Sequence, residues 1–169
     1  MQAKSLRLVI AAAIAAVVLS SCTIYVRPYW PSDSGVELSG VIQDFRPTRG
    51  SGATYFVGES IEFMLRTTTS GYVTLTAIDP DGRVYVLARN VFVEGGRNIL
   101  PTPSQRVTYS AGTPRGFHRV RASFTSNRTS ESSVSYQGIY GEGNWTSSIS
   151  VDIRPSPVRD VSETTLYIR

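Results

Sequence analysis

Apolar and polar residues alternate in four short runs of the chain, and this period of two is typical of half-buried β-strands. The runs are residues 61–66, 72–78, 117–124 and 145–153. The third run predicts that three apolar side chains face a core: Val120, Ala122 and Phe124. It predicts that three polar ones face solvent: Arg119, Arg121 and Ser123. No period of 3.6 follows the N-terminal segment, so the pattern predicts no helix there.

Turn residues separate these runs from further candidate strands at residues 36–45, 84–87, 106–109 and 164–169. Residues 79–82 read DPDG, which fits a type I turn and predicts a hairpin around it. About seven to nine short strands spaced by turns indicate an all-β fold, an antiparallel β-sandwich over residues 36–169.

The first 21 residues have the pattern of a bacterial export signal. Lys4 and Arg7 precede an apolar stretch at residues 8–19, which is too short to span a bilayer as a helix. The segment ends in LSSC, which resembles the lipobox of bacterial lipoproteins. That resemblance implies that the thiol of Cys22 carries a diacylglyceryl group and that Cys22 begins the mature chain. The alternative is an ordinary signal peptide that happens to end near a lone cysteine.

Composition and charge narrow the function classes. The chain has 17 basic and 13 acidic side chains, and removal of Lys4 and Arg7 with the signal leaves 15 against 13. A surplus of two is too small to indicate nucleic-acid binding.

Residues 22–35 contain prolines among aromatics, which predicts an extended tether between lipid and domain. Cys22 is the only cysteine, so no intramolecular disulfide forms.

A series of short motifs then follows in close order: YFVGE at residues 55–59, IEF at 61–63, GYVTL at 71–75, DPDG at 79–82 and YVL at 85–87. This series resembles the bacterial domain-of-unknown-function family 4384, over residues 36–127. The resemblance implies an immunoglobulin-like sandwich of the kind found in secreted proteins and lipoproteins. It implies no catalytic residues, and the polar excursion at residues 125–143 looks like an insertion.

The sequence offers little for catalysis or metal binding. His118 is the only histidine, and its place beside Phe117 at the start of a strand favours a structural or surface residue over a catalytic one. One histidine and a lipidated cysteine do not make a zinc site, and Asp79 and Asp81 belong to a turn rather than a calcium loop. We therefore expect no enzyme activity, no metal and no cofactor.

Recognition is the remaining candidate activity. Tyr136, Tyr140 and Trp145 flank the polar excursion, and exposed aromatics among Ser, Gly and Asn suit contacts to proteins or glycans. The alternative places Tyr136 and Tyr140 on an edge hairpin and Trp145 in the core. The sequence thus predicts a non-enzymatic protein of the cell envelope, lipid-anchored to a bacterial membrane with its domain outside the cytoplasm. It would contact another envelope or surface-layer protein, or alternatively bind peptidoglycan or surface polysaccharide.

The lipid anchor is testable directly. Replacing the thiol in Cys22→Ala removes the acylation site, and we expect labelled palmitate to disappear from the protein and the protein to leave the membrane fraction. Each buried methylene stabilises attachment by about 0.8 kcal/mol, so two or three acyl chains dominate membrane binding. Palmitate label that survives in Cys22→Ala would contradict the prediction.

Overall fold

Ten β-strands and one α-helix form the part of the chain that the computed structural model describes, which is Trp30 with residues 34–130 and 134–169. The strands are β1 (Ile42–Pro47), β2 (Ala53–Tyr55), β3 (Ser60–Ile61), β4 (Phe63–Thr67), β5 (Gly71–Ile78), β6 (Val84–Val93), β7 (Gly96–Leu100), β8 (Tyr109–Ser110), β9 (Gly116–Thr125) and β10 (Arg159–Ile168). The helix α1 is Glu142–Ile153, and a short 3-10 helix is Pro103–Gln105. The predicted signal peptide, Cys22 and most of the tether lie outside the described residues.

The strands pair into a five-stranded sheet and two smaller ones. The large sheet has the order β2-β10-β9-β5-β6, a second sheet has the order β1-β4-β7, and β3 pairs with β8. Pairing is antiparallel apart from β2 with β10, which run parallel. Between the sheets lies an apolar core in which Phe45 stacks on Phe63 with ring centroids 5.5 Å apart. The predicted all-β sandwich is confirmed.

The hairpin around residues 79–82 also forms as the sequence predicts. The N–H of Gly82 donates to the carbonyl of Asp79 at 2.9 Å, which closes the turn. The Asp79 carboxylate accepts the N–H groups of Asp81 at 3.0 Å and Arg83 at 2.9 Å. Gly82 adopts a φ of 81°, a left-handed conformation that glycine reaches without steric cost. Strand β7, in contrast, lies where no strand was predicted.

The strand predicted at residues 145–153 is wrong, because this segment belongs to helix α1. Its buried side chains recur at helical spacing: Trp145, Thr146, Ile149, Ser150, Asp152 and Ile153. Three of these six are polar, so the apolar residues alone suggested a period of two. Val151, which that period places inside, is half exposed.

The prediction that Arg121 and Ser123 face solvent is also wrong. Their face of the five-stranded sheet is covered by α1, which packs there with a second apolar cluster around Trp145 and Val161. The fold is therefore a sandwich with a helix laid on its outer face. No helix within the described ranges is long and apolar enough to cross a membrane.

A tightly packed glycine tests the core. A Cβ atom on Gly71 would clash with the ring of buried Phe124 and would lie 2.7 Å from the carbonyl oxygen of Thr125. We expect Gly71→Ala to lower the free energy of unfolding by about 1–3 kcal/mol, measured by urea titration. The matched control is Gly112→Ala, since Gly112 has nothing within 4 Å of such a Cβ. Equal stability of both variants would contradict the packing.

Candidate functional site

An open groove runs beside β6, which is an edge strand of the five-stranded sheet. We call it the edge groove, and its volume is about 760 Å³. One wall is the outer edge of β6, and the other is the loop at residues 134–140. The lining residues are Arg83, Val84, Tyr85, Val86, Arg89, Thr113, Val134, Ser135, Tyr136, Gln137, Gly138 and Tyr140.

The loop pairs with the start of β6 and then leaves it. The N–H of Val84 points away from β5 and donates to the carbonyl of Ile139 at 3.0 Å, and Arg83 forms a bridge with Tyr140. Backbone groups of a strand alternate in direction, and Val86 pairs with Thr76 two positions along the same ladder. The N–H of Val86 therefore also points away from β5, on the side of the edge groove, just before a register irregularity in the β5–β6 ladder.

Arg89 fastens the loop to the rest of the domain. Its guanidinium pairs with Asp152 of α1 at 2.7 Å and donates to the carbonyls of Val134 and Ser130, each at 3.0 Å. Tyr136 donates its hydroxyl to the same carboxylate at 3.2 Å. Burial and the negative charge of Asp152 raise the pKa of Tyr136 well above its usual value, so it stays a donor. The second wall of the groove is thus preformed.

The three predicted recognition residues separate in the structure. Tyr140 is 56% exposed and lines the edge groove, whereas Trp145 is fully buried and Tyr136 is buried against Asp152. The prediction of an exposed aromatic surface is wrong for Tyr136 and Trp145. Both point inward because α1 replaces the predicted strand and carries the loop onto the sheet.

A layer of charged side chains between α1 and the sheet explains how the helix is held. Arg121 donates to Glu163 at 2.7 Å and to the hydroxyl of Thr146 at 2.8 Å. Arg119 pairs with the same Glu163 at 3.0 Å and with Glu142 in the first turn of α1. The hydrogen bond from Arg119 holds the pKa of Glu142 below its usual value. Burial lowers the pKa of Arg121, but a guanidinium still stays charged at neutral pH.

His118 is buried, and both of its ring nitrogens are engaged. Nε2 lies 2.9 Å from the carbonyl of Pro114, which can only accept, so Nε2 carries the proton. Nδ1 then accepts from the hydroxyl of Tyr85 at 3.1 Å. This arrangement ties the groove residue Tyr85 to β9 and leaves neither nitrogen directed at a substrate.

The part of the chain that is described contains no cluster of side chains suited to bind a metal ion. Within those residues, no group of three or more His, Cys, Asp or Glu side chains is close enough to hold an ion. The carboxylate of Asp79 is occupied by its own turn and by Arg83 at 3.2 Å.

Residues 54–128 match the family model of a domain of unknown function, DUF4384. This part of the chain is a domain resembling DUF4384. The match includes β6 and β9 but ends before the loop and α1, so one wall of the edge groove lies inside it and the other outside. Neither the curated proteins nor the solved structures give a match.

Two groove residues escaped sequence reasoning. The backbone of Val86 is open because β6 lies at the edge of the sheet. The order of strands in a sheet cannot be predicted from the local alternation of apolar and polar residues. Arg89 follows a predicted strand as one of many arginines, and its partner Asp152 lies 63 positions away. In the sequence, the run of aromatic and polar residues in the loop was the one indication of a binding site here, and it identified Tyr140.

The contact between Tyr85 and His118 predicts a pH effect on stability. Burial raises the pKa of Tyr85 to about 12. A raised pKa gives stability that is complete below the unfolded value near 10 and is lost as pH rises through about 12. At neutral pH, Tyr85→Phe should cost about 1–3 kcal/mol because Nδ1 of His118 loses its donor.

Urea titrations between pH 8 and 12 test this effect. The stability difference between the wild type and Tyr85→Phe should shrink by roughly 2 kcal/mol across the upper part of that range. The exposed Tyr167→Phe serves as the control. Parallel stability curves for the wild type and Tyr85→Phe up to pH 12 would contradict the buried contact.

Proposed function

We propose that this protein is a lipid-anchored component of the bacterial cell envelope whose sandwich domain binds another envelope or surface-layer protein. The partner's contact is an extended segment that adds to β6 in the edge groove. The domain acts as a binding or accessory module without catalysis, and it lies outside the cytoplasm on the membrane that holds its acyl chains. Among the described residues, the open backbone of Val86 beside a preformed wall carries the proposal.

Strand addition suits this site physically. An exposed edge offers unpaired N–H and carbonyl groups, and an added strand satisfies them while side-chain pockets supply specificity. The segment's side chains would meet the half-exposed Val86, the ring of Tyr140 and the guanidinium of Arg83, which is already partnered by Asp79. Because the loop is held by Arg89, little ordering is needed on binding, which favours affinity.

The non-catalytic part of the proposal is supported by the engagement of His118 in two structural hydrogen bonds. The three aromatic side chains were predicted to contact either a protein or a glycan, and two of them are buried, whereas an open strand edge suits a protein segment in particular. Of these three, Tyr140 is the one whose ring is exposed in the groove. We therefore favour a protein partner over a polysaccharide.

The lipid anchor is supported by the sequence LSSC at residues 19–22 behind a basic and apolar leader. The acyl chains would place the domain close to one membrane, where a neighbouring protein is met at high local concentration. Neither the LSSC segment nor the acyl chains depend on the edge groove, so the anchor and the binding activity are testable separately.

Val86→Pro tests strand addition without unfolding the sheet. Proline lacks the N–H, and at this position the N–H points away from β5, so the β5–β6 ladder should survive. We expect Val86→Pro to reduce recovery of a stoichiometric protein partner from detergent-solubilised envelope by tenfold or more. A tenfold loss corresponds to about 1.4 kcal/mol.

Val86→Thr is the matched control, because it keeps the backbone donor and a β-branched side chain. It should recover the partner nearly as well as the wild type, and thermal unfolding should show that both variants fold. Full recovery by Val86→Pro would contradict strand addition. Sedimentation of the wild type with purified cell wall, with no protein partner recovered, would favour the polysaccharide alternative.

A further inference from the structure

Four apolar side chains are exposed together at one end of the five-stranded sheet, and we call this surface the apolar tip. Its members are Phe56, Val57, Phe117 and Tyr167, which are between 42% and 62% exposed. Tyr167 pairs directly with Phe117 on one side and with Thr54 on the other, and Thr54 is two residues before Phe56. Phe117 and Tyr167 therefore share one face of the sheet, and Phe56 and Val57 are exposed in the turn that follows β2 at the same end.

Backbone hydrogen bonds hold the tip in this exposed arrangement. A tight turn joins the N–H of Glu59 to the carbonyl of Phe56 at 2.9 Å, while the Glu59 carboxylate accepts the N–H of Phe56 at 2.8 Å. The N–H of Val57 donates to the carbonyl of Arg169 at 3.1 Å. Gly58 supplies the φ of 90° that the turn requires. Phe56 and Val57 are thus fixed outward, where apolar side chains are unfavourable in water.

Two arginines beside the apolar tip carry positive charges that are not paired within the described residues. Arg115 and Arg169 flank the end of the β9–β10 ladder, because Gly116 and Ile168 are paired. Both are exposed, and neither guanidinium has an ion-pair or hydrogen-bond partner anywhere in residues 34–130 or 134–169. The carboxylate of the turn, Glu59, is itself paired with Arg49 at 3.3 Å.

We propose that the apolar tip docks onto an anionic lipid surface. Phenylalanine and tyrosine side chains enter the interfacial region of a bilayer, and unpaired arginines beside them are attracted to anionic headgroups. The tip combines a turn with a sheet face, and the side chains that it exposes are mostly apolar or aromatic. A lipid surface matches both the apolar side chains and the free positive charge.

The position of the proposed anchor agrees with this docking. Trp30 lies over Arg121, with the guanidinium carbon 5.7 Å from a ring centroid of Trp30. Arg121 is four residues from Phe117 along β9, which is about 13 Å of strand. The eight residues from Cys22 to Trp30 reach at most about 27 Å. Acyl chains on Cys22 and the apolar tip can therefore contact the same bilayer.

This inference rests on the proposed anchor, and a single labelled cysteine tests the two separately. Acylation of Cys22 would leave the thiol of Val57→Cys as the only one available to a polarity-sensitive fluorophore. The matched control is Val151→Cys on α1, since Val151 is also half exposed. Each full-length protein is reconstituted into phosphatidylcholine vesicles with and without phosphatidylglycerol.

We expect the label at position 57 to shift to the blue and brighten several-fold in vesicles that contain phosphatidylglycerol, while the label at position 151 stays unchanged. Arg115→Gln combined with Arg169→Gln should abolish the difference between the two vesicle types. An unchanged label at position 57 would overturn the proposal, as would the same change at both positions. A shift produced by a soluble acidic polysaccharide without vesicles would also overturn it.

Failure of the anchor has a different signature from failure of the docking. Without acylation, Cys22 itself takes up the fluorophore, so labelling reaches two per chain and the protein fails to remain with zwitterionic vesicles. One label per chain together with an unchanged signal at position 57 leaves the anchor in place and rejects the docking alone.

Discussion

The guanidinium of Arg121 lies against the ring of Trp145, 4.0 Å from its centroid, and the rest of the outer layer depends on this contact. It joins the middle of the five-stranded sheet to the first turns of α1. Trp145 also donates from its ring nitrogen to Thr76 at 2.8 Å, so the same side chain is fixed to β5 as well as β9. The helix is thereby seated on two neighbouring strands.

Several distant features follow from that seat. Asp152, in the second half of α1, accepts hydrogen bonds from Arg89 and Tyr136. Through these bonds its carboxylate fixes the position of the loop opposite β6. Trp30 reaches the same Arg121 from the predicted tether. Burying the guanidinium of Arg121 costs desolvation energy, but Glu163 and Thr146 accept hydrogen bonds from it. A charged side chain can therefore lie between the sheet and the helix, where an apolar one would be expected. One polar layer therefore positions both the groove and the point at which the chain arrives from the anchor.

This polar layer also explains which elements of the fold could be predicted from the sequence and which could not. The sandwich, the β5–β6 hairpin and its turn follow from alternation and turn chemistry, because their inner face is apolar and their outer face is more polar. The helix escaped detection because its buried side includes Thr146, Ser150 and Asp152, which no hydrophobic period reveals. Its partner face carries Arg121 and Thr76, so each surface looks exposed until the two are brought together. Tyr140 was found as an aromatic in a polar loop, whereas Val86 depends on strand order.

The two proposed contacts are compatible in one orientation of the domain. The apolar tip lies at the ends of β9 and β10, while the edge groove lies along β6, two strands beyond β9 in the sheet. If the tip rests on the bilayer, the strands stand away from it, and the edge of β6 opens sideways rather than toward the lipid. A partner segment that adds to β6 would then run along the membrane normal. Such a geometry suits a neighbouring envelope protein that rises from the same membrane, and it suits a polymer lying flat in the cell wall less well.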